Sequence, residues 1–463
     1  MALNLDIKDT GSKDILKFDI DGVKMSLVNA LRRIMISEVN TVAFETTEFE
    51  ESSIKITENT TQFHNEMLLH RIGLIPINIP DTDNFNESDY TFSLDVENKT
   101  NSIMYVTAGD IKVMNNLTGA EEPSEKFFPK DPLSKDNIMI VRLLPNPAGN
   151  SEKLSFTGTA RGGNGGIDAR YSPTAVCFYV NTIDNNAMNK AYTKYREENS
   201  EGDSEKLKKR FAINESERHF SKDADGEPNK FSFTVESIGV IPPEQILGRA
   251  IDILNGKLEK LQAELTKKDS EYLEIEETPT AMEAFDITID NESHTLGFII
   301  QEHANQLISS SDLVYVGYMN PHPLKKNIKL RMALSQNNRD NVVKQVTFVC
   351  QNIVNQCNSI KSLVEQKYGP IGLRAPTTAK PEEPKPKKKI RIKKKEPVAE
   401  GREVAEAEVE AEAPTDAEAE AEAEAPTGEG AVEPEAEPEA RESVSDMEGG
   451  EYVEMTDYDS DLE

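Results

Sequence analysis

The stretch Asp19-Ile-Asp-Gly-Val-Lys-Met-Ser-Leu-Val-Asn-Ala-Leu-Arg-Arg-Ile34 decides the fold. Just before and into it, Asp14–Ile20 alternates polar and apolar side chains, the period of a half-buried strand. From Ser26 to Val39 the spacing changes. Leu27, Leu31, Ile34 and Met35 recur at helical intervals, with Ser26 placed to act as an N-cap. A strand and a one-sided helix follow one another within about 25 residues.

The same pattern returns later. Phe285, Ile287 and Ile289 alternate as a strand, and His294–Ile308 reads as a helix with Leu296, Ile299, Ile300 and Leu307 on one face. Each copy closes on a long amphipathic helix. In the first, Phe231–Glu236 alternates, then Pro242 and Pro243 open a helix striped by Ile246, Leu247, Ala250, Ile251, Leu254, Leu258 and Leu261. In the second, Leu313–Tyr318 and Asn327–Ala333 form a strand pair joined through Pro321-His-Pro323. Helix Asn338–Tyr368 follows, with its seam from Val342 through Val346, Val349, Ile353, Cys357 and Ile360 to Leu363.

A small sheet with one long helix leaves apolar surface uncovered. Two such units would cover each other, at roughly 1.5–3 kcal/mol per buried aliphatic side chain. Fusion in one chain makes that pairing intramolecular. The expected fold class is therefore α+β, with two dimerisation modules paired within the chain. The first module comprises 1–46 and 176–268, interrupted by an inserted β-rich domain at 47–175, in which His64–Gly73 is a short helix stopped by Gly73. The charged stretch 269–282 reads as a linker, and 283–370 is the second module.

Composition changes from Pro376. Residues 376–463 hold 28 acidic and 11 basic residues, against 55 and 41 in the rest. A basic, proline-bearing linker (376–395) precedes an Ala/Glu/Pro-rich acidic tail (396–463), and both are expected to be disordered. The net charge of −31 argues against the whole surface gripping nucleic acid. Three cysteines are too few for a disulfide framework or a four-thiolate zinc site, and a reducing compartment is the simpler expectation. No signal peptide or membrane-spanning apolar run is visible. These features predict a soluble intracellular protein.

Several segments together resemble the alpha-like subunits of DNA-dependent RNA polymerase. The stretch Asp19–Ile34, Glu38-Val-Asn-Thr-Val-Ala-Phe-Glu45 and Asn65-Glu-Met-Leu-Leu-His-Arg-Ile-Gly-Leu-Ile-Pro-Ile77 are similar to the larger alpha-like subunit, the third-subunit or D type. So are Ala160-Arg161, Tyr171-Ser-Pro173 and Val235–Glu244. His294-Thr-Leu-Gly297, Gly317-Tyr318 and Pro321-His-Pro-Leu324 resemble the smaller partner, the eleventh-subunit or L type. The fusion resembles the arrangement in large DNA viruses that encode their own polymerase. That implies work in the host cytoplasm or a viral factory, with the virus particle and the nucleus as alternatives.

The resemblance implies a non-catalytic assembly platform. It would dock the two largest polymerase subunits and small adaptor subunits, and reach DNA and RNA only through the complex, with no membrane partner. Catalytic, cofactor and metal residues are expected to be none, with Mg²⁺ and any zinc held by other subunits. The residues it points to as subunit interface are Asn29, Leu31, Arg32, Arg33, Leu69, Arg71, His294, Thr295, Leu296, Gly297, His322 and Pro323. Many third-subunit relatives carry a four-cysteine zinc loop; the inserted domain here has no cysteine.

Other motifs carry less. His64, His70, His294 and His322 lack metal-ligand spacing. Gly162-Gly-Asn-Gly-Gly166 lacks the Lys-Ser/Thr of a phosphate loop and reads as a flexible loop. Lys387–Lys395 stays open between a localisation or nucleic-acid patch and a solvated linker. A nucleic-acid-binding or acidic chaperone-like adaptor acting through the tail is the competing reading.

Overall fold

The computed structural model describes residues 3–372 except 48–50, 80, 83, 132, 146–150, 200–203, 268–269 and 280–282. The expected basic linker and disordered acidic tail lie outside the described residues. Among the described residues there are seven α-helices: α1 (Met25–Ser37), α2 (Asn65–Gly73), α3 (Asn185–Glu198), α4 (Ser204–Asn214), α5 (Pro243–Leu265), α6 (His294–Leu307) and α7 (Arg339–Tyr368).

Two four-stranded antiparallel sheets share one topology. The first runs Asn4–Lys8, Ile15–Asp21, Lys230–Ser237, Thr174–Asn181, with α1 after its second strand and α5 after its third. The second runs Leu273–Pro279, Glu283–Asp290, Asn327–Leu334, Leu313–Met319, with α6 and α7 in the same places. Even the irregularities agree, since each last-ordered strand has a register shift at its start, between Thr174 and Val176 and between Leu313 and Tyr315. The turn into the first helix needs a left-handed residue in both copies, supplied by Gly22 (φ 81°) and Asn291 (φ 59°).

The two modules bury one continuous core. Leu247, Leu254 and Leu258 of α5 and Val346, Ile353 and Cys357 of α7 belong to it, as do Leu27 and Leu31 of α1 and Leu296 and Ile300 of α6. Helix α5 packs on α7, and α1 crosses α6. The amphipathic faces read from sequence thus cover one another, and the α+β architecture with paired modules holds.

Local details depart from expectation. Ser26 is not the N-cap of α1: Lys24 is, and Ser26 lies buried in the first turn. By contrast His64 accepts from the Met67 N–H at the start of α2, and Asn338 from the Asn341 N–H at the start of α7. The stretch expected as linker, 269–282, contains the strand Leu273–Pro279, paired along its length with Glu283–Asp290. Leu273 and Ile275 give it an apolar face against the core while Glu274 and Glu276 are exposed on the other face, so the charge obscured a half-buried edge strand. Thr174 and Ala175, assigned to the inserted domain, belong to the first module's sheet. Helices α3 and α4 also had no sequence expectation. They form a hairpin in which Tyr192 and Tyr195 meet Phe211, with ring centroids 5.2 and 5.4 Å apart.

The inserted domain has its own core. Its five-stranded sheet runs Ile54–Asn59, Lys153–Gly158, Tyr90–Glu97, Lys112–Asn115, Ala120–Glu122, flanked by a ribbon of Met104–Thr107 with Met139–Leu143 and by α2. It joins the first module through Asn40–Ala43 paired with Arg161–Asn164. The glycine run is therefore not a flexible loop. Gly163 and Gly162 oppose Thr41 and Val42, the Gly166 N–H donates to the Ser37 carbonyl (2.7 Å), and a Cβ on Gly165 would strike the Ile36 carbonyl oxygen. Glycine is needed there for close backbone approach to the end of α1.

Candidate functional site

The site starts from the crossing of α1 and α6. Arg33, exposed on α1, donates through Nε to Thr295 Oγ1 at the start of α6 (2.8 Å). Glu302 of α6 returns the contact, its Oε2 accepting the Ser26 N–H in the first turn of α1 (3.2 Å). That N–H belongs to a helix start whose own cap residue offers no side-chain acceptor, and a carboxylate suits the positive end of a helix. Between these contacts lies a notch of about 90 Å³ lined by Ser26, Asn29, Arg33, His294, Thr295 and Tyr318, among others.

A second set of contacts ties α5 to the second module. Lys257 Nζ lies 3.0 Å from Glu292 Oε2 and 2.8 Å from Glu38 Oε2. Burial works against its charge, but Glu292 and Glu38 outweigh burial and hold the ammonium above its ordinary range. Tyr272 donates its hydroxyl to the other Glu292 oxygen (3.1 Å). Farther along, Lys361 of α7 meets Asp252 of α5 at 2.6 Å, and Asn255 Nδ2 donates to Asn358 Oδ1 at 2.9 Å.

The structure brings Asn29, Arg33, His294 and Thr295 together at this crossing and disperses the other expected interface residues. Arg32 turns to Asn29, donating from Nε and Nη2 to one oxygen (3.1 and 3.0 Å). Leu31 and Leu296 lie inside the shared core, so their contribution is to pairing of the modules. Gly297 is buried beneath the Tyr318 ring, where a Cβ would collide. Leu69 is corrected from a surface role, being buried in the core of the inserted domain. Arg71 is occupied with the carbonyls of Ile140 and Met139 (2.8 and 3.0 Å). His322 and Pro323 sit on an exposed loop away from the crossing, where His322 Nδ1 accepts the Leu324 N–H.

Sequence reading missed the outer edges. The edge strand Thr174–Asn181 exposes Val176, Phe178 and Val180 on the face opposite Cys177 and Tyr179, which pack toward the core. The matching edge of the second module, Leu313–Met319, exposes Tyr315 and Met319 on the face opposite Val316, with Val314 exposed at the bulge. Beside them the outer faces are polar, with Ser232, Thr234 and Glu236 on one module and the Asp286–Arg331 bidentate pair (2.6 and 2.8 Å) on the other. The signal was present as apolar runs in strands that alternation alone would make half polar.

Among the described residues no group of three or more His, Cys, Asp or Glu is placed to hold a metal ion. Burial pushes the thiols of Cys350 and Cys357 up to about 12, so they remain protonated core side chains. No helix among the described residues is long and apolar enough to cross a membrane.

Known proteins match this architecture twice over. The RNA polymerase Rpb3/Rpb11 dimerisation domain matches residues 17–258 and, in a second form, residues 284–363. The chain is 31% identical over 278 residues to the DNA-directed RNA polymerase subunit Rpo3 of Pyrococcus furiosus, covering 56% of this chain and 95% of that one. It is 25% identical over 296 residues to the DNA-directed RNA polymerase II subunit RPB3 of Schizosaccharomyces pombe, covering 60% and 90%. It is 26% identical over 288 residues to the DNA-directed RNA polymerases I and III subunit RPAC1 of Saccharomyces cerevisiae, covering 53% and 82%. With both dimerisation domains present in one polypeptide and paired across one core, the chain belongs to the Rpb3/Rpb11 family of alpha-like RNA polymerase subunits.

Proposed function

We propose that this chain is the non-catalytic assembly platform of a multisubunit DNA-directed RNA polymerase. Its two modules act as an alpha-like heterodimer in one polypeptide that docks the two large catalytic subunits and small adaptor subunits. The observation that carries this reading is the pair of exposed apolar edges, Val176–Phe178–Val180 and Val314–Tyr315–Met319, at corresponding places on a body that has satisfied its own pairing. Apolar edge strands left open are a liability unless a partner covers them. Nucleotidyl transfer and its Mg²⁺ belong to the large subunits, and nucleic acid is reached only through the complex. The work takes place inside the cell, and a viral factory fits the fused form.

Affinity purification from cells that express the whole complex tests this. The large polymerase subunits should copurify with the chain, and Phe178→Asp with Tyr315→Asp should abolish their recovery. Recovery without any large subunit would sink the proposal. Arg32→Ala with Arg33→Ala removes only partly or fully exposed hydrogen bonds, each worth about 0.5–1.5 kcal/mol. That variant should stay folded in isolation while assembling poorly.

A further inference from the structure

Beyond the end of α7 the chain turns back across α5. Gly369 (φ 80°) and Gly372 (φ 100°) both take the left-handed backbone that favours glycine. Gln245 of α5 grips the turn twice. Its Nε2 donates to the Pro370 carbonyl (3.1 Å), and its Oε1 accepts the Gly372 N–H (3.1 Å). The Ile371 N–H reaches Glu365 Oε1 (3.4 Å), and the Ile371 side chain lies in the shared core. Glycine inside a helix is unfavourable, but Gly248 is needed here: a Cβ on it would come within 2.5 Å of the Gly372 nitrogen.

The turn delivers Gly372 to the rim of a cleft of about 950 Å³. Ile79 of the inserted domain, Ile15 of the first module's second strand, and Val240 and Ile241 before α5 make its wall apolar. Three carboxylates also line it, Asp9, Asp14 and Glu244, and none of them is in an ion pair among the described residues. Burial, then Glu244 and Asp9, hold the Tyr368 hydroxyl above its ordinary range, so both carboxylates bear on the same wall. The cations of the cleft are mostly engaged. Lys8 pairs with Asp19 (2.9 Å), Lys367 Nζ donates to the Ile7 carbonyl (2.9 Å) and Arg249 Nη1 to Thr82 Oγ1 (2.7 Å), while Lys13 is exposed.

We infer that this cleft is the seat of the chain's own next residues, Leu373-Arg374-Ala375-Pro376, with Leu373 on the apolar wall and Arg374 at the carboxylates. The chemistry of the segment matches in order from the rim: one aliphatic side chain, then one cation, then a proline that favours extended backbone at Ala375. A guanidinium suits carboxylates that lack a cation of their own. The segment is tethered at the rim by the Gln245 grip, so it reaches the cleft at a high effective concentration that a separate ligand would have to exceed. Seated there, it ties the inserted domain and the first module to the end of the second. It also fixes where the C-terminal extension leaves the body and closes the cleft to other ligands. This inference is independent of which subunits the platform docks.

Disulfide trapping in the full chain tests the seat. Leu373→Cys with Asn78→Cys, a cleft position, should join on mild oxidation in most molecules, read by peptide mapping without reductant. Leu373→Cys with Leu117→Cys, an exposed position on the same inserted domain outside the cleft, should not join. The native thiols do not compete, since burial pushes Cys177, Cys350 and Cys357 up to about 12. Equal trapping of both pairs, or trapping of neither, overturns the inference. A second measurement decides if the cysteine variants fold poorly. Leu373→Asp with Arg374→Glu changes no residue of either core and should quicken amide exchange over residues 9–16 and 239–245 by about fivefold. Unchanged exchange in that variant also overturns it.

Discussion

The two modules solve one packing problem with unequal amounts of chain. In the second, α6 reaches its edge strand in a few residues, from Leu307 to Leu313, and that strand returns to the sheet between Met319 and Asn327. In the first, the inserted domain fills the corresponding interval from Ser37 to Thr174, and the α3–α4 hairpin fills the interval from Asn181 to Lys230. Both elaborations flank the same edge strand. That strand pairs on one side only, so chain added at its ends can leave without crossing the core. The buried stripes of α5 and α7 are consequently equivalent in the two modules despite the difference in size.

The largest expected effect would break the comparison at the inserted domain. Phe92 is fully buried among Phe44, Phe127 and Phe128, 5.1 Å from the Phe44 centroid. Phe92→Ala should cost about 3–5 kcal/mol. If the added domain stands on its own core, hydrogen exchange will accelerate there and stay slow in α5 and α7. Equal loss of protection in both regions would show that the separation of cores is not energetic.

A smaller effect sharpens the comparison at one aligned position. Val28 of α1 corresponds to Gly297 of α6, and the Tyr318 ring occupies the space above that glycine. Gly297→Val should destabilise by about 1–3 kcal/mol in denaturant unfolding. Tyr318→Ala in the same chain should recover part of the loss; no recovery would locate the strain elsewhere.

The smallest effect depends on pH. Buried Ile34 corresponds to buried His303, whose Nδ1–H donates to the Ile299 carbonyl (2.8 Å). Burial holds this imidazole below its ordinary range; the nearby Lys24 acts in the same direction, while Ile299, Gln356 and Glu302 act against it. A depressed histidine pKa means that the unfolded chain binds the extra proton first. Its contribution is complete above about pH 6.5 and falls as pH drops, by at most about 1.4 kcal/mol per pH unit. His303→Ile should flatten the stability profile below about pH 6.5 relative to wild type. An unchanged slope would remove His303 from the account.

Helix positions were legible because burial on one side repeats at 3.6 residues, and α5 and α7 carry long, clean stripes. The edge strand Leu273–Pro279 was not, because its outward glutamates looked like linker charge while its apolar face had no visible partner in sequence. The hairpin α3–α4 was not, because it buries few side chains, mainly Leu207 and Phe211. At the candidate site, Arg33 and Thr295 were each legible as notable residues, but their bond spans 262 positions and no local pattern encodes it. Ser26 was misread for the same reason, since the acceptor that serves its N–H is Glu302 of the other module.

The amino-acid sequence by itself determined the two copies of strand, helix and long helix, and hence that the chain had to pair its modules. Periodicity and backbone turns are local, and burial of the exposed stripes is the only outcome that removes them from water. Tertiary structure alone decided which charged residues face each other across that pairing and which apolar edges remain open. Those depend on distances between residues far apart in the chain, and a residue's own neighbours in sequence say nothing about them.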